Sequence, residues 1–136
     1  MGRIVALDYG RVRTGIAVTD ELHLIASGLR TVETRELLDF LISYSQQEQI
    51  DRFVIGEPKQ MDNSPSEVEV LIKPFIEKLK KALPNIPVER QDERFTSKMA
   101  QRSLIDSGVR KMKRRDKSLV DEVSATLILQ AHLNKY

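Results

Sequence analysis

The order in which hydrophobic periodicities follow one another constrains this chain more than any other feature. Three strand-like segments come first: Arg3–Leu7, Gly15–Thr19, and Leu22–Thr31 reached through a turn at Asp20-Glu21. From Thr34 the period lengthens, and Leu37, Leu38, Leu41, Ile42 and Tyr44 mark one face of a helix. Arg52–Gly56 is a compact apolar strand. Ser64-Pro65-Ser66-Glu67 has a capping-box pattern with proline at the first helical position, and Val68, Leu71, Ile72, Phe75 and Leu79 continue an apolar face. Pro74 falls inside that pattern, so a kink or interruption is expected there. Ile86–Gln91 reads as a short strand, Thr96 to Gly108 as a helix, and Ser118 to about Leu133 as a strongly apolar final helix.

The order β-β-β-α-β-α-β-α-α predicts an α/β domain with a mixed five-stranded sheet and helices on both faces. Right-handed crossovers make the later strands parallel to the first. Sites in such sheets lie beyond the carboxyl ends of the parallel strands. Neither an internal repeat nor an interdomain linker is evident, so one domain spanning residues 1–136 is expected.

Composition then removes several chemistries. The chain has 136 residues, enough for a core without disulfides, and no cysteine, which excludes thiolate zinc sites and a cysteine nucleophile. Its two histidines, His23 and His132, are far apart in sequence, which argues against a serine–histidine hydrolase. A metal, if used, would be a hard ion held by oxygen, Mg²⁺ or Mn²⁺. No run approaches the roughly 20 apolar residues of a membrane span, and the N-terminus shows no signal peptide, so a cytoplasmic protein with no membrane partner is expected. The net charge of +2 does not argue for nucleic acid. The segment Arg110–Lys117, RKMKRRDK, is either a solvated loop or a phosphate-binding arm.

Acidic residues recur at element ends. Asp8 follows the first strand, Asp92 and Glu93 follow the strand ending at Gln91, and Asp121 lies early in the last helix. Each has an ordinary explanation: a turn residue, a solvated acid, and a capping box formed by Ser118 and Asp121. Asp92 and Glu93 must point to opposite faces, so one of them at most accompanies Asp8. Carboxylates held together repel one another unless a cation neutralises them. A divalent pair would do so and would support in-line attack on a phosphodiester.

These residues resemble the YqgF family, also described as RuvX-type or Holliday-junction-resolvase-like proteins, and the resemblance runs from about Ile4 to Leu133. Asp8-Tyr9-Gly10 through Arg13, Gly15 and Ala17 matches the family's D-x-G-x-x-R-x-G-x-A pattern. Val54-Ile55-Gly56-Glu57-Pro58 with Met61-Asp62-Asn63-Ser64 forms a second motif, and Asp92-Glu93-Arg94-Phe95-Thr96 a third. Lys117 to Asp121 with Ala125 and Leu127–Gln130 forms a fourth.

The resemblance implies a ribonuclease-H-like fold and a metal-dependent nuclease that matures the 5′ end of pre-16S ribosomal RNA. It implies Asp8, Glu93 and Asp121 as catalytic residues and as ligands to Mg²⁺ or Mn²⁺, choosing Glu93 over Asp92. Arg13 and Arg94 would hold phosphate or orient the acids, with structural salt bridges the competing role. Lys111, Lys113, Arg114 and Arg115 would contact RNA. Glu57 stands where the family usually has leucine, either as an extra ligand or as an exposed acid, and Asn63 replaces the usual glycine. Three rivals remain open: a DNA junction resolvase, a non-catalytic nucleic-acid-binding protein acting in transcription, and a phosphate loop of the actin–hexokinase type. Both monomer and homodimer are compatible with the sequence.

Overall fold

The computed structural model describes residues 2–57, 67–92 and 117–133, with side chains in the last segment from Glu122 onward. Five strands form one sheet: β1 (Arg3–Tyr9), β2 (Arg13–Thr19), β3 (Ala26–Glu33), β4 (Ile50–Glu57) and β5 (Val88–Asp92). Their order is β3-β2-β1-β4-β5. β1 pairs antiparallel with β2, and β2 with β3. β4 and β5 run parallel to β1, as expected for strands joined by crossovers. A 3₁₀ turn (Thr34–Glu36) leads into helix α1 (Leu37–Gln47), and α2 (Glu69–Ala82) and α3 (Lys117–Leu133) follow.

Strand parity divides the core in two. Val5, Leu7, Ile16, Val18, Phe53 and Ile55 turn to the face covered by α1 and α2, where Leu37, Leu41, Ile72, Phe75 and Leu79 meet them. Ile4, Ala6, Ala17 and Val54 turn to the other face and pack against Ala125, Ile128 and Leu129 of α3. The strands carry small residues on that second face. Ala6, Ala17 and Gly28 are cross-strand partners on β1, β2 and β3. A Cβ on Gly28 would lie 3.5 Å from the Glu122 Cβ, so α3 rests almost directly on the backbone there. At its other end, α3 brings His132 to Glu89 of β5. The helix therefore lies across the sheet from β3 to β5.

Two local expectations need correction. The third strand begins at Ala26, not Leu22. The Asp20 carboxylate accepts hydrogen bonds from the backbone N–H groups of Leu22, Leu24 and Ile25, which commits that stretch to a loop. His23 adopts a left-handed φ of 59° within it, and its Nε2 donates to the Gly2 carbonyl at 2.6 Å. Pro74 does not interrupt α2, which runs unbroken from Glu69 to Ala82. The carbonyl deprived of a donor is that of Val70, in the first turn of the helix, and both residues are solvent-exposed, so water can satisfy it. The helix expected from Thr96 to Gly108 and the loop from Pro58 to Pro65 lie outside the described residues, as does the Ser64 cap.

The Asp20 loop carries a pH signature. Its backbone donors, Ile25 foremost, hold the Asp20 carboxyl below the usual carboxylate range. A depressed folded-state pKa stabilises the fold above the unfolded value and loses that contribution as pH falls through the folded one. Asp20→Ala should therefore lower the melting temperature by a constant amount between pH 7 and pH 5. The gap to wild type should narrow below about pH 4, where the unfolded carboxyl begins to protonate. Thermal melts of both proteins across that range check this.

Candidate active site at the carboxyl ends of the parallel strands

Asp8 is the penultimate residue of β1, paired with Gly15 in the ladder, and not a turn residue. Parity places it with Ile4 and Ala6, on the face that carries α3. The same row continues across the sheet. Leu7 partners Ile55, so Gly56 of β4 follows beside Asp8, and Gly56 partners Gln91 of β5. Asp8 is thus flanked by glycine on both sides, with Gln91 beyond Gly56. Arg13 alternates with Gly15 and Ala17, which assigns it to the Asp8 face at the neighbouring end of β2.

The turn that follows Asp8 is held from the opposite face. Thr34 donates its hydroxyl to the Gly10 carbonyl at 2.7 Å, and its backbone N–H donates to the Val12 carbonyl. The Thr34 hydroxyl also lies 2.9 Å from that of Thr14. A Cβ on Gly10 would fall 2.4 Å from the Arg13 carbonyl oxygen, so only glycine fits. The glycine of the first motif thus has a steric reason in this chain.

Parity also separates the remaining acids. Asp92 alternates with Arg90, which reaches α2, so it belongs to the face opposite Asp8. Glu57 alternates with Phe53 and Ile55 and belongs to that opposite face too. Neither is placed to join Asp8 without a local change in strand direction. Glu93, Arg94, Lys111, Lys113, Arg114 and Arg115 lie outside the described residues. Asp121 lies within α3, but its side chain is outside the described set. Ser118 is already helical, so the capping box in which Ser118 precedes the first turn is not the arrangement formed.

Sequence reading passed over the group that braces these strand ends. Arg90 makes a bidentate pair with Glu69 at 2.7 and 2.9 Å and also donates to the Ile55 and Gly56 carbonyls. It ties the first turn of α2 to the end of β4 beside Asp8. The legible signal was parity: Val88 and Arg90 share a core-directed face, where a charge demands a partner. Gln91 was missed as well. It is only 9% exposed, and its Oε1 is buried with no hydrogen-bond partner among the described residues.

The fold family implies a divalent cation, and the donors here suit a hard one. They are a carboxylate on Asp8 and an orphaned amide oxygen on Gln91, with no sulfur. Neither histidine is on offer: His23 binds the Gly2 carbonyl, and His132 packs 3.2 Å from Glu89. Among the described residues no three acidic or histidine side chains cluster, and the expected set has only Asp8 within them. A concavity of about 510 Å³ opens on the reverse face between α1 and α2, bordered by Arg11, Arg35, Lys78 and Asp39. Tyr9 lines it, packed on Phe75 with ring centroids 5.2 Å apart, and burial pushes its phenol pKa up. Among the described residues no helix is long and apolar enough to cross a membrane.

A sheet of this order, with an acid closing the central strand and a helix laid across it, defines the ribonuclease-H-like class that includes junction resolvases. Solved structures agree: Thermus thermophilus RuvC in complex with a Holliday junction substrate superposes with a TM-score of 0.61 over 99% of this chain and 96% of that one, at 15% identity. The Fowlpox virus resolvase, solved with junction DNA, gives 0.57 at 12% identity over 98% and 97%. At these identities the likeness speaks for fold alone. The chain itself belongs to the RuvX family, whose profile, described as "Holliday junction resolvase", matches residues 2–135. A Christiangramia forsetii protein is 59% identical over 98% of both chains, and one from Bacteroides fragilis 56% over 98% of this chain and 96% of its own. Both carry the name "Putative pre-16S rRNA nuclease".

The Arg90 brace yields a stability test. Glu69→Ala leaves a largely buried guanidinium without its carboxylate and should cost about 3 kcal/mol; exposure of the Arg90 side chain to 24% argues against a higher figure. Denaturant unfolding measures it, and Arg90→Met with Glu69→Gln should recover much of the loss.

Proposed function

We propose that this protein is a divalent-metal-dependent nuclease, a single ribonuclease-H-like domain spanning residues 1–136. In this reading it matures the 5′ end of pre-16S ribosomal RNA in the cytoplasm. The observation that carries it is the row Gly15–Asp8–Gly56–Gln91, which seats one carboxylate at the carboxyl end of the central strand with a glycine on each neighbouring strand. Relatives at 59% and 56% identity supply the substrate class.

Asp8, Glu93 and Asp121 are the proposed ligands. The assignment of Asp92 and Glu57 to the reverse face supports Glu93 as the second acid. Asp121 is supported by its position one turn before Ala125, which is fully buried against the Asp8 side of the sheet. Mg²⁺ or Mn²⁺ there would neutralise the acids and the attacked phosphate and make water a better nucleophile. Asp8 would orient the attack from β1. Arg13 and Arg94 would hold the phosphate, and the run of Lys111, Lys113, Arg114 and Arg115 would track the RNA backbone. With no tryptophan and 5% aromatic residues, there is little to stack bases on, so recognition would rest on charge and shape.

The deciding experiment is cleavage of a 5′-extended 16S precursor RNA, with a four-way DNA junction in parallel, under Mn²⁺, Mg²⁺ or EDTA. Metal-dependent RNA cleavage that falls at least roughly 100-fold in Asp8→Asn is the expected result. Junction cleavage alone would transfer the assignment to the resolvase activity that the family description carries. Binding of both substrates without cleavage would favour a non-catalytic role.

The basic run has its own test. Replacing Lys111, Lys113, Arg114 and Arg115 together by alanine should reduce the slope of log affinity for single-stranded RNA against log salt by roughly 3. An unchanged slope would remove that segment from the RNA interface.

A further inference from the structure

Gln91 is hard to explain as a core residue. Its neighbours on β5 each have an evident use: Glu89 meets His132, and Arg90 meets Glu69. Gln91 instead buries a polar side chain whose Nε2 donates weakly to the Asp92 carbonyl at 3.3 Å. Its Oε1 has no donor among the described residues, although it is shielded from solvent. An orphaned buried acceptor costs on the order of 1–3 kcal/mol, which methionine or leucine of similar volume would avoid. Such a cost is commonly retained where a group waits for a ligand.

Position indicates which ligand. Gln91 shares the row and the face of Asp8, separated from it by Gly56 alone. Two strand spacings put the two backbones about 10 Å apart. Because Gly56 contributes no side chain, no side chain of β4 stands between them. It is too wide for a direct hydrogen bond between a carboxylate and an amide, and wide enough for a hydrated ion between them. Mg²⁺ in particular keeps several of its waters when bound, and each is a strong donor in search of an acceptor. An amide oxygen, neutral and unable to take up a proton, suits that partner.

We propose that Gln91 is a positioning residue for the divalent ion, its Oε1 accepting a hydrogen bond from a water of the ion's hydration shell on the side facing β5. The proposal rests on the metal-dependent reading above. It adds a residue outside the acidic set and accounts for the one amide oxygen that is buried without a partner among the described residues.

The test is Mn²⁺ and Mg²⁺ binding by calorimetry, with thermal melts in the presence and absence of metal, on wild type, Gln91→Leu, Gln91→Glu and Asp8→Asn. Gln91→Leu should melt higher than wild type without metal, because the orphaned acceptor is gone. It should bind the ion roughly 10- to 100-fold more weakly, the usual effect of losing an outer hydrogen bond at a metal site. Gln91→Glu keeps the acceptor, so it should melt lower without metal and bind the ion at least as tightly as wild type.

Unchanged metal affinity in Gln91→Leu overturns the proposal. If cleavage of RNA but not of DNA then fell, the partner of Oε1 would be a substrate hydroxyl instead. If Asp8→Asn also bound metal normally, the metal-dependent reading itself would fail. Loss in Asp8→Asn with no change in Gln91→Leu would remove Gln91 alone.

Discussion

Everything at the candidate site depends on the two-residue period of β1. Val5 and Leu7 enter one core, Ile4 and Ala6 the other, and Asp8 inherits the second face because it is two residues beyond Ala6. The apolar contacts that fix this register include several fully buried side chains, each worth roughly 1.5–3 kcal/mol, so a slip by one residue would forfeit far more than a single carboxylate could return. The position of the acid is therefore imposed by packing. β4 and β5 inherit the same parity through their parallel pairing, which is how Gly56 and Gln91 fall in line with Asp8.

The two faces divide the labour. On one, large side chains and two helices make a deep hydrophobic layer, with the Arg90–Glu69 pair and the Thr34 clamp fastening its upper edge. On the other, α3 is the one helix among the described residues and lies on small residues, and the row above it carries polar groups and glycines. Among the described residues the larger apolar layer lies behind the sheet. The cleft behind the sheet shares the same end of the strands as Asp8, but belongs to the opposite surface.

Much of this was legible in the residues. The succession of strands along the chain, the positions of α1 and α3, the body of α2 and the strand-end location of Asp8 followed from periodicity, since each is a local pattern repeated over several residues. What periodicity could not supply was any feature set by one side chain acting on distant backbone. Asp20 delayed β3 by capturing three N–H groups, and exposure of Val70 let Pro74 sit within α2. Parity on β5 was the step that sequence left open between Asp92 and Glu93, because the face depends on which neighbours meet which helix. Arg90 with Glu69 supplies that information, and those residues are 21 apart in the chain. Gln91 gave no signal, because an orphaned acceptor is visible only once burial is known.

The near-contact of α3 with Gly28 has a wider consequence. The edge strand β3 is the outermost of the sheet, yet it sets the height at which the helix bearing position 121 rides. Alanine at position 28 would meet Glu122 at an ordinary van der Waals distance, whereas a branched or longer side chain would wedge the helix outward. The helix would act as a lever, with its pivot at the β5 end, where His132 is anchored. A change on the rim of the molecule would thus shift position 121 relative to the end of β1 with every acidic residue intact, and a survey of variants confined to the acids would miss it.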